Sequence, residues 1–416
     1  MRTRLPAAAL GLLAMLQARP GVAAEPPADC GPALTRASLV RCVLAQSLVL
    51  REAAASQRAA EGRLEAVRPV LPSNPTLSGT VASRASAAEQ RLNWSVGLAQ
   101  ELEVGGQRGL RLDVGGGELR AQARWLASAR ASVVAEAWVA WFGALAANER
   151  LALAVKLEAA TQDVAATVRA MAAGGLSSDL DADVADAAAL RASQGRLRAQ
   201  EARSAAQGRL RRLVGGAVAP TASGELVPLA EAAGLGAPGV ERPELLALEE
   251  TQAAQRGRVA LLQRTRVPNP TVSLFAQNDG FDERVLGVGL SLPIPVARPL
   301  AGEVAEAGAL ADRAEAETER VRRELQVELE VALAQYAAAA QARALFTPER
   351  VARATARLES LAAQVKAARL PVRDALVAQQ VLMDQLEAGI DAREALCVAS
   401  VRLTRAAGRS LEGDAP

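Results

Sequence analysis

Asn74-Pro75-Thr76-Leu77-Ser78 returns 195 residues later as Asn269-Pro270-Thr271-Val272-Ser273. The same offset aligns Leu50 with Leu245, Gln57 with Gln252 and Arg63 with Arg258. Further along, Val96-Gly97-Leu98 matches Val288-Gly289-Leu290 at an offset of 192, and Leu157, Val164 and Met171 match Val351, Leu358 and Val365 at 194. One recurring pentapeptide carries little weight. Matches in the same order over about 120 residues mark an internal duplication. The Gly-, Ala- and Pro-rich stretch 216–241 reads as a linker. It separates repeat one (25–215) from repeat two (242–410), which a short tail (411–416) follows.

Each repeat has the same internal order. A helix comes first, over about 34–67 and 243–266, and the Asn-Pro-Thr element ends it, because proline neither continues a helix nor lets its predecessor stay helical. Strands follow. Leu92, Trp94, Val96 and Leu98 alternate with Asn93, Ser95, Gly97 and Ala99, and Leu286, Val288, Leu290 and Leu292 alternate with Gly287, Gly289 and Ser291. A period of two gives one apolar face and one small or polar face. With partner strands at 76–83 and 271–278, each repeat carries one hairpin whose length suits a tilted membrane strand of about 9–11 residues. A polar, glycine-rich opposite face suits a wet lumen. Four strands cannot close a barrel alone, so several chains must contribute.

Long helices come next, over about 117–171 and 302–368. At ~1.5 Å per residue these reach ~80–100 Å, far beyond an ordinary globular helix. Thr347-Pro348 interrupts the second, with threonine placed to cap and proline at the first helical position. The spacings Ala154, Leu157, Thr161, Val164, Val168, Met171 and Val351, Ala354, Leu358, Leu361, Val365, Ala368 are coiled-coil seams. The chain turns at 173–178 and 368–371. Return helices are expected to pack through Val184, Leu190 and Leu197 in repeat one and through Leu376, Met383, Leu386 and Ile390 in repeat two. The fold class is therefore mainly α with a small β part.

Composition narrows the chemistry. The 416 residues contain no histidine, which removes Ser-His-Asp and Cys-His nucleophile sets and histidine-based zinc sites. Cys30, Cys42 and Cys397 are too scattered for a cysteine metal cluster. Forty-eight basic residues balance 46 acidic ones, and no basic block interleaves with aromatics, so nucleic acid is not an expected partner. No cofactor, metal site or catalytic set is expected. At the N-terminus, Arg2 and Arg4 precede an apolar run to Leu16 and the small residues Val22-Ala23-Ala24, the pattern of a signal peptide over 1–24. Cys30 follows Pro26-Pro27-Ala28-Asp29, without the small and aliphatic residues that precede a lipidated cysteine, so no lipid anchor is expected.

The two repeats, the passage from Arg284-Val285-Leu286-Gly287-Val288-Gly289-Leu290-Ser291-Leu292-Pro293-Ile294-Pro295 through Arg298 to Gly302-Glu303-Val304-Ala305-Glu306-Ala307, and Arg242-Pro243-Glu244-Leu245 resemble the TolC-type outer-membrane efflux family. Within it the chain looks most like outer-membrane components of heavy-metal and cation (cobalt-zinc-cadmium type) efflux systems. The resemblance implies a homotrimer in outer-membrane lipid. Each chain would give four strands to a twelve-stranded barrel and helices to a periplasmic tunnel, which docks on a periplasmic adaptor (membrane fusion) protein and an inner-membrane RND-type pump. The expected function is a passive exit duct, with heavy-metal cations as cargo. The alternatives are a duct for drugs or other small molecules and, in another class, a periplasmic adaptor or coiled-coil scaffold.

Candidate functional residues gather at the helical tips. Asp179, Asp183 and Asp186 share one helix face. They read either as a carboxylate ring at a periplasmic constriction or as acidic residues complementing the helix dipole behind a Ser177 or Ser178 cap. Arg373 and Asp374 occupy the equivalent tip, where Arg369 and Arg373 would pair with the neighbouring acidic tip and hold the tunnel shut. Cys30 and Cys42, twelve residues apart in an oxidising compartment, are a candidate disulfide. Cys397 reads as a buried core thiol, and Gly105-Gly106 and Gly115-Gly116-Gly117 as flexible strand-to-helix transitions. Trp94, Phe275 and Phe281 are the aromatics placed for an interfacial girdle.

Overall fold

The computed structural model describes residues 30–31, 33–85, 90–215, 221–229, 242–278, 283–294, 300–367 and 369–412. The signal peptide at 1–24, Phe281, Arg298, Ala368 and most of the linker lie outside these residues. In chain order the elements are β1 (Ala33–Leu34), α1 (Arg36–Gln46), α2 (Leu48–Val67), β2 (Thr76–Ala85), β3 (Gln90–Glu101), α3 (Gln107–Ala173) and α4 (Asp179–Val214). Then come β4 (Thr221–Ala222), α5 (Pro243–Arg264), β5 (Thr271–Asn278), β6 (Arg284–Ser291), α6 (Ala301–Ala344), α7 (Pro348–Lys366) and α8 (Val372–Ala406).

Two boundaries differ from the sequence expectation, and a third agrees with it. The first helix breaks at Ser47, whose hydroxyl accepts from the Leu50 amide and caps α2. The 67-residue α3, ~100 Å long, starts ten residues before 117. The second long helix is interrupted at Thr347-Pro348 as expected: it stops at Ala344 and restarts at Pro348, where the Thr347 hydroxyl accepts from the Arg350 amide as N-cap. The glycines at 115–117 are therefore inside α3. They allow close helix approach: a Cβ on Gly115 would lie 3.1 Å from Leu64 Cδ1 of α2, and one on Gly117 would lie 3.3 Å from Ala254 Cβ of α5.

β2, β3, β5 and β6 form one antiparallel sheet in the order β2-β3-β5-β6. The hairpins are equivalent: Thr76 faces Ala99 in the first, and their counterparts Thr271 and Ser291 face each other in the second. The sheet joins repeat to repeat through β3 and β5 and leaves β2 and β6 as its edges. Helices follow the same order, α2 on α3, α3 on α5 and α5 on α6. Towards the other end α3 packs with α4, α7 and α8. There the seams at Ala154, Thr161, Val164 and Val168 and at Ala354, Leu358, Leu361 and Val365 are buried. On α8 the same holds for Met383, Leu386 and Ile390.

The return helix α4 departs from expectation. Its seam is made by Ala185 and Ala192, both buried, while Val184, Leu190 and Leu197 point outward and are exposed. Small residues let α4 approach α3 closely, so the leucines take the outer side instead.

Midway along the helices lies the main core. Trp138, Trp141 and Phe142 of α3 pack against Leu34, Leu39 and Val43, with Leu210, Val214 and Val401 around them. Trp141 Nε1 donates to the Leu34 carbonyl at 3.0 Å, and Trp138 Nε1 to the Leu411 carbonyl at 3.2 Å, so both ends of the described chain are fastened to α3. β1 pairs in parallel with β4 from the linker region. Gly224, at φ 141°, crosses Trp141, where a Cβ would lie 3.1 Å from its Cζ2. A disulfide joins Cys30 to Cys42, Cα–Cα 5.5 Å, on the fully buried side of α1. Cys397 is buried in the same core, and burial pushes its thiol up to about 12.

Candidate functional site

Alternation in the strands gives the sheet two unlike faces. On one, Leu77 faces Leu98, Leu98 faces Leu274, and Leu274 faces Val288; Val81 faces Trp94 four residues along. These side chains pack against little else: Leu77 is 74% exposed, Val288 72% and Leu286 84%. An apolar sheet face open to this degree is a surface for lipid rather than water. The other face carries Thr80 and Ser95, whose hydroxyls are 2.6 Å apart, with Ser78, Gln277 and Ser273 in the neighbouring rows. It is the small, polar face a wet lumen requires.

Phe275 sits on that polar face, opposite to Trp94, and not in an outer girdle. It lies between Gly97 of β3 and Gly287 of β6 in the register, and a Cβ on Gly287 would meet its ring at 2.3 Å. Gly287 makes the room for the ring to lie across β6. The sequence could have given this away, because position 275 has the parity of Gly97 and Gly287.

Where the sheet passes into the helices, a buried polar joint connects the repeats. Gly106 takes φ 73° at the turn into α3, a left-handed conformation natural to glycine. A Cβ on Gly105 would overlap the Gln107 side chain at 2.5 Å, so this pair is a fitted turn rather than a loose one. Gln107 is buried. Its Nε2 donates to the Val267 carbonyl and to Asn269 Oδ1, both at 3.2 Å, and Asn269 Nδ2 donates to Glu101 Oε1 at 2.8 Å. Glu103 pairs with Arg111 beside it. Asn269 thus does more than end a helix: it ties β3 of repeat one to the start of β5. A glutamine after two glycines carries no pattern that would have singled it out.

At the far end the two tips meet within the chain. Val168 and Ala185 pack with Val365 and Ala375, and Leu370 and Val372 close around them. Ser178 is the N-cap of α4 and accepts from the Asp181 amide at 3.1 Å. Its hydroxyl donates to Asp181 Oδ2 at 2.7 Å, and this bond, helped by Ser177 and the charge of Arg373, holds the Asp181 carboxyl below its usual range. Asp179 and Asp183 are exposed in the first turns of α4, and Asp186 pairs with Arg169 across the hairpin. Arg373 and Asp374 are exposed in the first turn of α8. The structure therefore gives Asp181 a hydrogen bond from the capping Ser178 and Asp186 an ion pair, and leaves Asp179, Asp183 and Arg373 exposed at one end of the molecule. No group of three or more candidate metal ligands occurs among the described residues.

Residues 39–216 match the model of the outer membrane efflux protein family. The match covers the first half of the chain, from α1 to the end of α4. No curated protein sequence matches the chain. Among solved structures, the outer-membrane channel OprN superposes with a TM-score of 0.74 at 19% identity, covering 90% of each chain. CusC gives 0.73 at 16% identity, over 90% of this chain and 92% of that one. The Campylobacter jejuni CmeC outer membrane channel gives 0.74 at 15% identity, over 89% and 85%. The chain has the fold of these channels.

Proposed function

We propose that this chain is the outer-membrane exit duct of a tripartite efflux system. The observation that carries the reading is a four-stranded sheet with one face of exposed leucine and valine, open at both edges, held on a helix ~100 Å long. An apolar face stabilises the chain only in lipid, and open edges in lipid leave backbone groups unpaired unless other copies close them. A homotrimer with a twelve-stranded barrel satisfies both demands. The helices then form the periplasmic tunnel, and a periplasmic adaptor and an inner-membrane RND-type pump supply cargo and energy. The duct itself performs no chemistry.

Full-length protein is expected in the outer-membrane fraction, as an oligomer that migrates at trimer mass unheated and at monomer mass after boiling. A soluble monomer overturns the proposal. Heavy-metal cations as cargo rest on the resemblance of 284–307 to metal-efflux channels. Deleting the gene is then expected to sensitise cells to cobalt, zinc, cadmium, copper or silver. Sensitivity to hydrophobic drugs alone would assign the duct to small organic molecules.

The tips supply the closed end in this reading. Arg373 lends its charge to Asp181 of the neighbouring hairpin, so Arg373→Glu replaces an attraction with a repulsion among exposed carboxylates. Cells carrying it are expected to admit large polar antibiotics more readily than cells carrying the parent channel. Unchanged permeability removes Arg373 and the tip aspartates from gating.

A further inference from the structure

The two hairpins share one strand pairing but present unlike walls on their polar face. In the first hairpin the directly opposed pairs on that face are Thr76–Ala99, Ser78–Gly97, Thr80–Ser95 and Ala82–Asn93. Their counterparts in the second are Thr271–Ser291, Ser273–Gly289, Phe275–Gly287 and Gln277–Val285. A serine opposite a glycine recurs in both. The next row does not recur: the Thr80 and Ser95 hydroxyls, 2.6 Å apart, are replaced by a phenylalanine lying on a glycine. In the row after it, Val285 stands where repeat one has Asn93. None of these side chains is charged.

The two changes together make one apolar patch in a polar wall. Phe275 is half-buried, and Val285, 38% exposed, is its diagonal neighbour across β5 and β6, within reach of an aromatic ring. Strand pairing does not call for the ring, since Thr80 and Ser95 hold the same pairing with hydroxyls. A ring in a wet lumen offers passing solutes a surface that its small, hydroxyl or amide neighbours do not.

We propose that Phe275 and Val285 form a contact at which organic cations with an aromatic or apolar body are held in passage through the barrel. The inference rests on the exit-duct reading and adds a class of solute that this duct distinguishes. An aromatic face attracts a cation through its quadrupole, and quaternary cations, which hold water weakly, suit it best. The valine beside it takes part of the apolar body out of water. Small inorganic cations keep their water until carboxylates, thiolates or imidazoles replace it, and these rows hold none of those groups. The patch therefore retards organic cations and lets metal ions pass.

Full-length channel carrying 4-fluorophenylalanine at position 275, held in lipid nanodiscs, gives a fluorine resonance at the patch itself. Tetraphenylphosphonium is expected to shift it saturably, with a midpoint of about 0.1–10 mM. Potassium and cadmium chloride at the same concentrations are expected to leave it in place. Val285→Asn, which restores the repeat-one residue, is expected to raise the midpoint about threefold. No saturable shift, an equal shift with the inorganic salts, or an unchanged midpoint in Val285→Asn overturns the proposal. A water-soluble gadolinium chelate and a nitroxide-bearing lipid, added separately, distinguish this failure from that of the exit duct. Broadening by the chelate puts the ring in water, so that absent binding sinks the contact and leaves the duct standing. Broadening by the lipid alone puts the ring on the bilayer side, and the exit-duct reading falls with the proposal.

Discussion

Val96→Arg is expected to remove the assembled channel from the outer membrane. Val96 lies near the middle of β3, on the apolar face, between Gly79 and Ala276. An arginine near the bilayer midplane on the lipid side of a barrel costs about 2–4 kcal/mol per chain, and the cost falls to ~0–1 kcal/mol near the interfaces. Each copy in the oligomer carries the same substitution, so a trimer bears roughly three times that cost, of the order of a whole domain's stability. Ser95→Arg is the matched control. Ser95 is one residue away on the lumen face, where the change loses its hydrogen bond to Thr80 and places the guanidinium in water. Quantifying the heat-modifiable oligomer in outer-membrane fractions is expected to show near-complete loss for Val96→Arg and a loss of less than about half for Ser95→Arg. If the sheet instead belonged to a soluble protein, an exposed valine replaced by arginine would be neutral or improve solubility, so equal levels for the two variants reject the membrane assignment.

The contrast between these neighbours also explains what was legible in the sequence. Strand faces have a period of two and opposite solvents on their two sides, so Leu92, Trp94, Val96 and Leu98 against Asn93, Ser95 and Gly97 could be read directly. The duplication then tested each element against its counterpart and fixed the order of strands and helices. Helix faces were harder. On α4 the leucine spacing suggested the seam, but alanine at 185 and 192 let α4 settle closer to α3 and turned Leu190 and Leu197 outward. Close approach is a property of two surfaces, and one helix's pattern does not reveal it. The glycines at 115–117 misled for the same reason: a flexible turn and a tight helix crossing use the same residue. Gln107 was invisible because its partners, Val267 and Asn269, lie more than 150 residues away. The tip aspartates were visible as a group, and both readings of them used the same spacing. The Ser178 and Arg169 contacts separate Asp181 and Asp186 from Asp179 and Asp183.

Trp141→Ala carries the second large effect, at the midpoint of the helices. Its ring is 1% exposed, sits 5.2 Å from Phe142 and 5.6 Å from Trp138, and supports β1 through the Leu34 carbonyl and the linker strap at Gly224. Removing a buried aromatic ring of this kind costs about 3–5 kcal/mol, whereas Trp141→Phe keeps most of the packing and loses a hydrogen bond worth ~1 kcal/mol. The loss is not expected to spread evenly. Among the described residues β1 and β4 have two residues each and no other sheet partner, so they depend on the ring, while α3 continues for tens of residues in both directions through other contacts. Hydrogen exchange in Trp141→Ala is therefore expected to rise at 33–34 and 221–229 by about two to four decades, as about 3–5 kcal/mol of local stability is lost, with the tips and the four-stranded sheet unchanged. The Cys30–Cys42 bond should confine the damage at the N-terminal side, because it fastens the segment before β1 to α1 independently of Trp141. Adding Cys42→Ser to Trp141→Ala is then expected to extend the fast exchange into α1, beyond the sum of the single variants. Additive exchange in the double variant would show that α1 is held by its own burial on Leu39 and Val43, and that the disulfide and the tryptophan act on separate parts of the core.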